Sequence, residues 1–315
     1  MAKERILITV KTYPTLSRTY GETVCTAGIR EDGSWVRLYP VPFRRLDEAQ
    51  QYRKYDWIEC RLQRNSKDPR PESYRPLDPA ELVPVDHIDT ADEWRERRRL
   101  ILNQACVYSR LDELIAGAKD NRLSLAVFKP ARILDFDWEQ EDREWNADKL
   151  RQMREMYKQM DMFEENDWRN TFQIIPKLPY SFSYCFEDTD GRKSKMQILD
   201  WEIGALFWNC MKASDSDETR ALDKVRAKYL DQFLTKDLHF FLGTTQQFHF
   251  VAPNPWVVIG VFPVPHKMQD DFFLEWLWKK RQQKLYYKRP SVTRTPISAS
   301  ASGRPSTRWS TTAAS

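Results

Sequence analysis

Between Lys11 and Leu46 the chain reads KTYPTLSRTYGETVCTAGIREDGSWVRLYPVPFRRL, a stretch in which cations and aromatic rings are interleaved. That mixture suits the binding of a flexible polyanion. Cations neutralise phosphates, and flat rings stack on bases at roughly 1–3 kcal/mol per base. The candidate contact residues are Lys11, Arg18, Tyr20, Trp35, Arg37, Tyr39, Arg44 and Arg45. On a strand, alternate side chains share a face, so Trp35, Arg37 and Tyr39 project together, opposite Val36 and Leu38. The competing expectation is structural: Trp35 and Tyr39 cap the β-core and Arg37 pairs with Glu22 or Glu31.

Other chemistries find less to work with. His87, His239, His249 and His266 include no pair at metal-ligand spacing, and no cysteine sits beside them, so no metal is expected. His239 and His249 lie in apolar runs and read as core histidines. Asp135, Asp137 and Glu139 would share a face of an extended segment and could gather carboxylates for a metal-dependent nuclease. Asp188 and Asp190 read as turn formers, since no distal Glu completes a calcium loop. With only 9 glycines there is no Gly-rich phosphate loop, no dinucleotide fingerprint and no nucleophile elbow, so no cofactor is implied.

Recognisable elements hold these residues. Val24 to Ile29 and Trp35 to Tyr39 flank Asp32-Gly33, the pattern of a β-hairpin. Ile58, Cys60 and Leu62 alternate with Glu59, Arg61 and Gln63, which predicts a strand with one wet face. Short helices are predicted over Trp94 to Gln104 and Arg110 to Ala118, and a longer one over Glu141 to Met160. A second β segment opens near Phe172, with Phe182, Tyr184 and Phe186 on one face and a turn at Asp190-Gly191. Asp200 and Asp217 are placed to cap two helices, and strands are predicted at Leu238–Leu242, Phe248–Val251 and Trp256–Phe262. Phe272 to Tyr287 reads as a last helix, followed by a Ser/Thr/Arg tail too poor in apolar groups to order itself.

Charge is distributed unevenly along the 315 residues. Residues 1–75 carry a net +5, residues 279–315 carry +9, and the intervening stretch carries −10. A uniformly basic coat is thereby excluded, and a polyanion would bind at the N-terminal third, at the tail, or at both. Five scattered cysteines fit reduced thiols. The N-terminal apolar run is too short for a signal peptide, and no stretch approaches membrane-spanning length, so a cytoplasmic protein without a membrane partner is expected.

The phrases ILITVKTYPTLS, VCTAGIREDGSWVRLYPVPFRRL, SLAVFKPARILDF, QILDWEIGALFWNCM and DLHFFLGTTQQFHFVAPNPWVVIGVF resemble those of a poorly characterised bacterial family with two OB-like β-barrels, found among mobile-element and phage-defence genes. The resemblance spans about Ile6 to Phe262. It implies an α+β protein of two small OB-like domains with helical insertions and, by analogy with other OB-folds, oligonucleotide binding. The domains expected are 1–140 and 172–265, joined by a helical connector at 141–171 and followed by a basic aromatic helix at 266–289 and a disordered tail at 290–315.

The leading expectation is therefore a non-enzymatic accessory protein that holds single-stranded or structured DNA or RNA in a bacterial defence or mobile-element system. One alternative is a protein-interaction subunit whose acidic middle and basic tail recruit an effector enzyme. A second is a cryptic metal-dependent nuclease built on Asp135, Asp137 and Glu139.

Overall fold

The computed structural model describes residues 2–17, 21–161 and 175–266; side chains at 17, 21, 45 and 156–161 are not described. Fifteen strands are assigned among these residues. The first eight are β1 (Glu4–Lys11), β2 (Thr15–Ser17), β3 (Gly21–Arg30), β4 (Trp35–Val41), β5 (Asp56–Cys60), β6 (Leu62–Arg64), β7 (Ser73–Pro76) and β8 (Val83–His87). They form a single curled sheet in the order β6-β7-β4-β3-β1-β5-β8, with β2 paired to β3. Helices α1 (Ala91–Arg98) and α2 (Leu111–Lys119) follow, on either side of β9 (Val107–Tyr108). Then come β10 (Leu125–Phe128), β11 (Arg132–Gln140), α3 (Ala147–Asp161), β12 (Tyr180–Glu187), β13 (Lys193–Ile198), α4 (Trp201–Lys212), α5 (Glu218–Arg226), β14 (Asp237–Thr244) and β15 (Trp256–Val264). Their strands make the second sheet, in the order β11-β12-β13-β15-β14-β10-β9.

Local sequence accounts for much of this. The β3–β4 hairpin closes on Gly33, whose φ of 85° suits a residue without a Cβ, and the β12–β13 hairpin turns at Gly191 with φ 80°. Asp200 accepts a hydrogen bond from the amide of Glu202, and Asp217 one from that of Arg220, so both carboxylates cap the helices they precede. Phe182, Tyr184 and Phe186 are all buried, as the alternation of β12 requires.

Three apolar cores result. Ile6, Ile8, Val36, Leu38 and Ile58 fill the hollow of the first sheet. Phe136, Phe182, Tyr184, Phe207 and Tyr229 lie between the second sheet and its helices. Between the sheets, Leu7, Val10, Ala27 and Ile29 meet Val127, Phe241, Ile259 and Phe262. The seam is also hydrogen-bonded, the amide of Tyr13 donating to the carbonyl of Leu199 at 2.8 Å.

β9, β10 and β11 pair within the second sheet, although they fall in the stretch expected as the first domain, 1–140. Phe248 to Val251 is not a strand but a turn, with Phe248, Phe250 and Val251 exposed. The helix expected at Phe272 to Tyr287 and the tail after it lie outside the described residues. Among the described residues, no helix is long and apolar enough to cross a membrane.

A cationic aromatic pocket between the two sheets

The hairpin expected to offer an exposed basic and aromatic wall is sewn into the protein instead. Period 2 holds on β4, but the second sheet covers the face carrying Trp35 and Arg37. Arg37 is 2% exposed. It donates to Ser73 Oγ at 3.3 Å, to Ser124 Oγ at 2.7 Å and to the Ser124 carbonyl at 2.9 Å. Burial, followed by the like charge of Arg70, draws its pKa down to about 10, which leaves it charged at neutral pH. Arg70 is itself buried and held bidentately by Asp68, at 2.8 and 2.6 Å. Trp35 meets Phe241 edge-on at 6.1 Å.

The other described hairpin candidates are also held by neighbours. Lys11 donates to the Tyr52 carbonyl at 3.1 Å and sits 4.1 Å from the Phe43 ring centre. Burial pulls its pKa down to about 8. Arg44 pairs with Glu22 at 2.8 Å and Arg5 with Glu31 at 3.1 Å, so neither acid is matched to Arg37. Tyr39 is half-buried, its hydroxyl accepting from Thr23 Oγ1 at 3.5 Å. Arg18, Tyr20 and the side chain of Arg45 lie outside the described residues. The five described positions, Lys11, Trp35, Arg37, Tyr39 and Arg44, therefore do not assemble into an open surface, because alternation says which side chains share a face and not which face stays wet.

The combination sought in the hairpin occurs elsewhere. A cavity of about 570 Å³ opens between Lys54-Tyr55, helices α1 and α4, the π-helical turn Ala227–Gln232 and β15. Trp94, Tyr55 and Trp201 contribute rings; Lys54, Arg97, Lys228 and Lys236 contribute charge; Glu202 is the one acid in the lining. Lys54 is held on its inner side by three acceptors: it donates to Glu202 Oε2, on an exposed side chain, at 3.1 Å and to the Val261 carbonyl at 3.2 Å, with the buried Asp200 Oδ2 at 3.6 Å. Burial opposes the charge on Lys54, but the two carboxylates outweigh it and its pKa is raised. Burial pushes Asp200 up to about 6 despite Lys54, whereas in Glu202 the charge and hydrogen bond of Lys54 overcome desolvation and the pKa falls.

Arg97 is placed by packing. Its guanidinium lies 3.8 Å from the Tyr55 ring centre and 5.1 Å from that of Trp94, and it donates twice to the Ile88 carbonyl, at 2.9 and 2.6 Å. Lys228 and Lys236 are exposed. Among the described residues, Arg97, Lys228 and Lys236 have no carboxylate at ion-pairing distance, unlike Arg61 on Glu81, Arg143 on Glu218 or Arg226 on Asp135. Trp94 is aimed by strained backbone: Asp92, Glu93 and Trp94 have φ of 48°, 54° and 66°. Such left-handed residues cost roughly 1–2 kcal/mol each. The turn they form brings the Trp94 ring to 5.6 Å from Phe262. No spacing rule marked these residues, because they come from five separated segments.

The other candidates resolve differently. β11 does line up Asp135, Asp137 and Glu139, but Lys195 Nζ donates to both Asp137 and Glu139 at 2.6 Å, and Arg226 holds Asp135 at 2.9 Å. Among the described residues there is no group of three ligating side chains able to hold a metal ion. His249 is fully buried between Thr244 Oγ1, at 2.9 Å, and Asn121 Oδ1, at 3.0 Å.

Fold and pocket together define a two-sheet α+β protein with a cationic, ring-lined cleft where the halves meet. Residues 107–287 match the family described as a domain of unknown function (DUF8757), and the chain belongs to that family. Residues 2–103 match a second domain of unknown function (DUF8758). The junction falls between the π-helical turn Arg99–Gln104 and β9, so each match coincides with one sheet, and both contribute to the pocket. No curated protein matches the chain.

Proposed function

We propose that this protein binds single-stranded nucleic acid, DNA or RNA, through the cationic aromatic pocket rather than through the hairpin. The observation that carries this reading is the convergence of Arg97, Lys228 and Lys236, without carboxylate partners among the described residues, on the rings of Trp94 and Trp201. Lysines at the rim take phosphates, and the rings take a base. The reading needs no catalysis, and it keeps the OB-like character of the two halves and the bacterial defence or mobile-element setting implied by the family resemblance. Short fluorescent oligonucleotides, titrated over a salt series, test it. Affinity falls linearly with salt on a log–log scale, and Lys228→Ala with Lys236→Ala shallows the slope by about 2. Salt-insensitive binding, or an unchanged slope in the double variant, overturns it.

The turn at Phe248 to Val251 favours a second reading, a protein-interaction subunit. Phe248, Phe250 and Val251 are 47%, 49% and 74% exposed, and the buried His249 between them anchors the turn. A stoichiometric protein partner recovered from nuclease-treated lysate, and lost on Phe250→Ser, supports this reading; recovery unaffected by that variant removes it.

A further inference from the structure

A second cavity, of about 490 Å³, lies along the same seam and differs in kind from the cationic one. Tyr13 and Tyr39 line it from residues 2–103, and Trp145 and Tyr180 from residues 107–287. Its charges cancel. Arg70 is occupied by Asp68, Lys177 donates to the Asp142 carbonyl at 2.6 Å, and Glu141 and Asp200 supply two carboxyls. An anion entering here would lose its hydration and meet one cation without an acid partner, Lys177, whose charge the Glu141 carboxylate of the same lining offsets. Yet the wall is not satisfied as it stands. Thr245 Oγ1 is buried and has no hydrogen-bond partner among the described residues, although a buried hydroxyl ordinarily has one. Gln197 adds an exposed amide from β13.

Rings from both family segments, no net charge and a hydroxyl without a partner specify the occupant. We propose that this seam pocket binds a neutral, flat heterocycle of nucleobase class, as a free nucleoside or as an unpaired base of a longer strand. The rings sandwich the heterocycle, and Thr245 Oγ1 supplies the hydrogen bond to its edge. The proposal does not rest on the cationic pocket, since it requires no phosphate.

Equilibrium dialysis of the full chain against adenosine, guanosine, cytidine and uridine tests it, alongside oligonucleotides carrying one abasic position. At least one nucleoside binds, with an affinity that changes less than about twofold between roughly 50 and 200 mM salt. Thr245→Val weakens that binding by about tenfold while raising the melting temperature, because removing an unpaired buried hydroxyl relieves a desolvation cost. Lys228→Ala with Lys236→Ala leaves nucleoside binding unchanged, which separates failure here from failure of the cationic pocket. Saturation by a nucleoside identifies the free compound as the source. Binding confined to oligonucleotides, lost at the abasic position and weakened by Thr245→Val, identifies the unpaired base. Absence of both, or full affinity in Thr245→Val, overturns the proposal.

Discussion

The two seam cavities are built from the same kinds of residue and end with opposite electrostatic characters. Both carry several aromatic rings, and both include buried ionisable groups. In the neutral pocket, Arg70 meets Asp68 within its own loop, two residues away, so the charge is spent before a ligand arrives. In the cationic pocket only Lys54 is matched, by Asp200 and Glu202, whereas Arg97 is held by a carbonyl and by rings that leave its charge unneutralised. Counting basic residues thus says little about where an anion can bind. What matters is whether the nearest acid is placed to answer each one.

The contrast can be broken most sharply at Asp68. Asp68→Asn leaves Arg70 charged and unmatched in the wall of the neutral pocket, which costs roughly 3–5 kcal/mol of stability in denaturant titrations. The same variant admits phosphorylated ligands, so nucleoside monophosphates gain affinity over nucleosides in dialysis. Equal affinity for the two would show that Arg70 plays no part in excluding anions.

Acid tests the same pair without mutation. Desolvation would raise the pKa of Asp68, but the hydrogen bonds and charge of Arg70 outweigh it and lower the pKa to about 2. A depressed carboxylate adds stability that is complete above its unfolded value, near 4, and vanishes as pH falls through 2. Wild type therefore loses about 2 kcal/mol from this group over that window. Asp68→Asn shows a correspondingly flatter acid limb.

Trp94→Leu sharpens the other side. It keeps apolar bulk against Phe262 but removes the flat face, so oligonucleotide binding weakens by roughly 1–3 kcal/mol while nucleoside binding in the neutral pocket is untouched. The smallest effect is expected at Glu93→Gly. It relieves a positive φ next to Trp94 and raises the urea midpoint by the equivalent of about 1 kcal/mol or less.

Local signals in the sequence held at the hairpin turns and the two Asp caps, where the cause was local. Asp32-Gly33 closes a hairpin because Gly accepts φ of 85°. Asp200 and Asp217 cap helices because their side chains reach an amide two or three residues on. The failures were non-local. The segment Phe248 to Val251 has the composition of a strand, but its turn is held by His249 bonding to Asn121, far away in sequence. Lys11 and Arg37 were placed on a wet face, and a sheet formed by residues beyond 106 covers the one carrying Arg37.

Alternation, turn residues and caps were enough to specify most strands, two hairpins and two helix starts, since each depends on atoms within a few residues along the chain. Which faces meet, which cations keep a free charge and where rings converge were decided only by the docking of one sheet on the other. That docking depends on shape and apolar area spread over 266 residues, and the charges it buries or leaves open are set by neighbours that no short window of sequence contains.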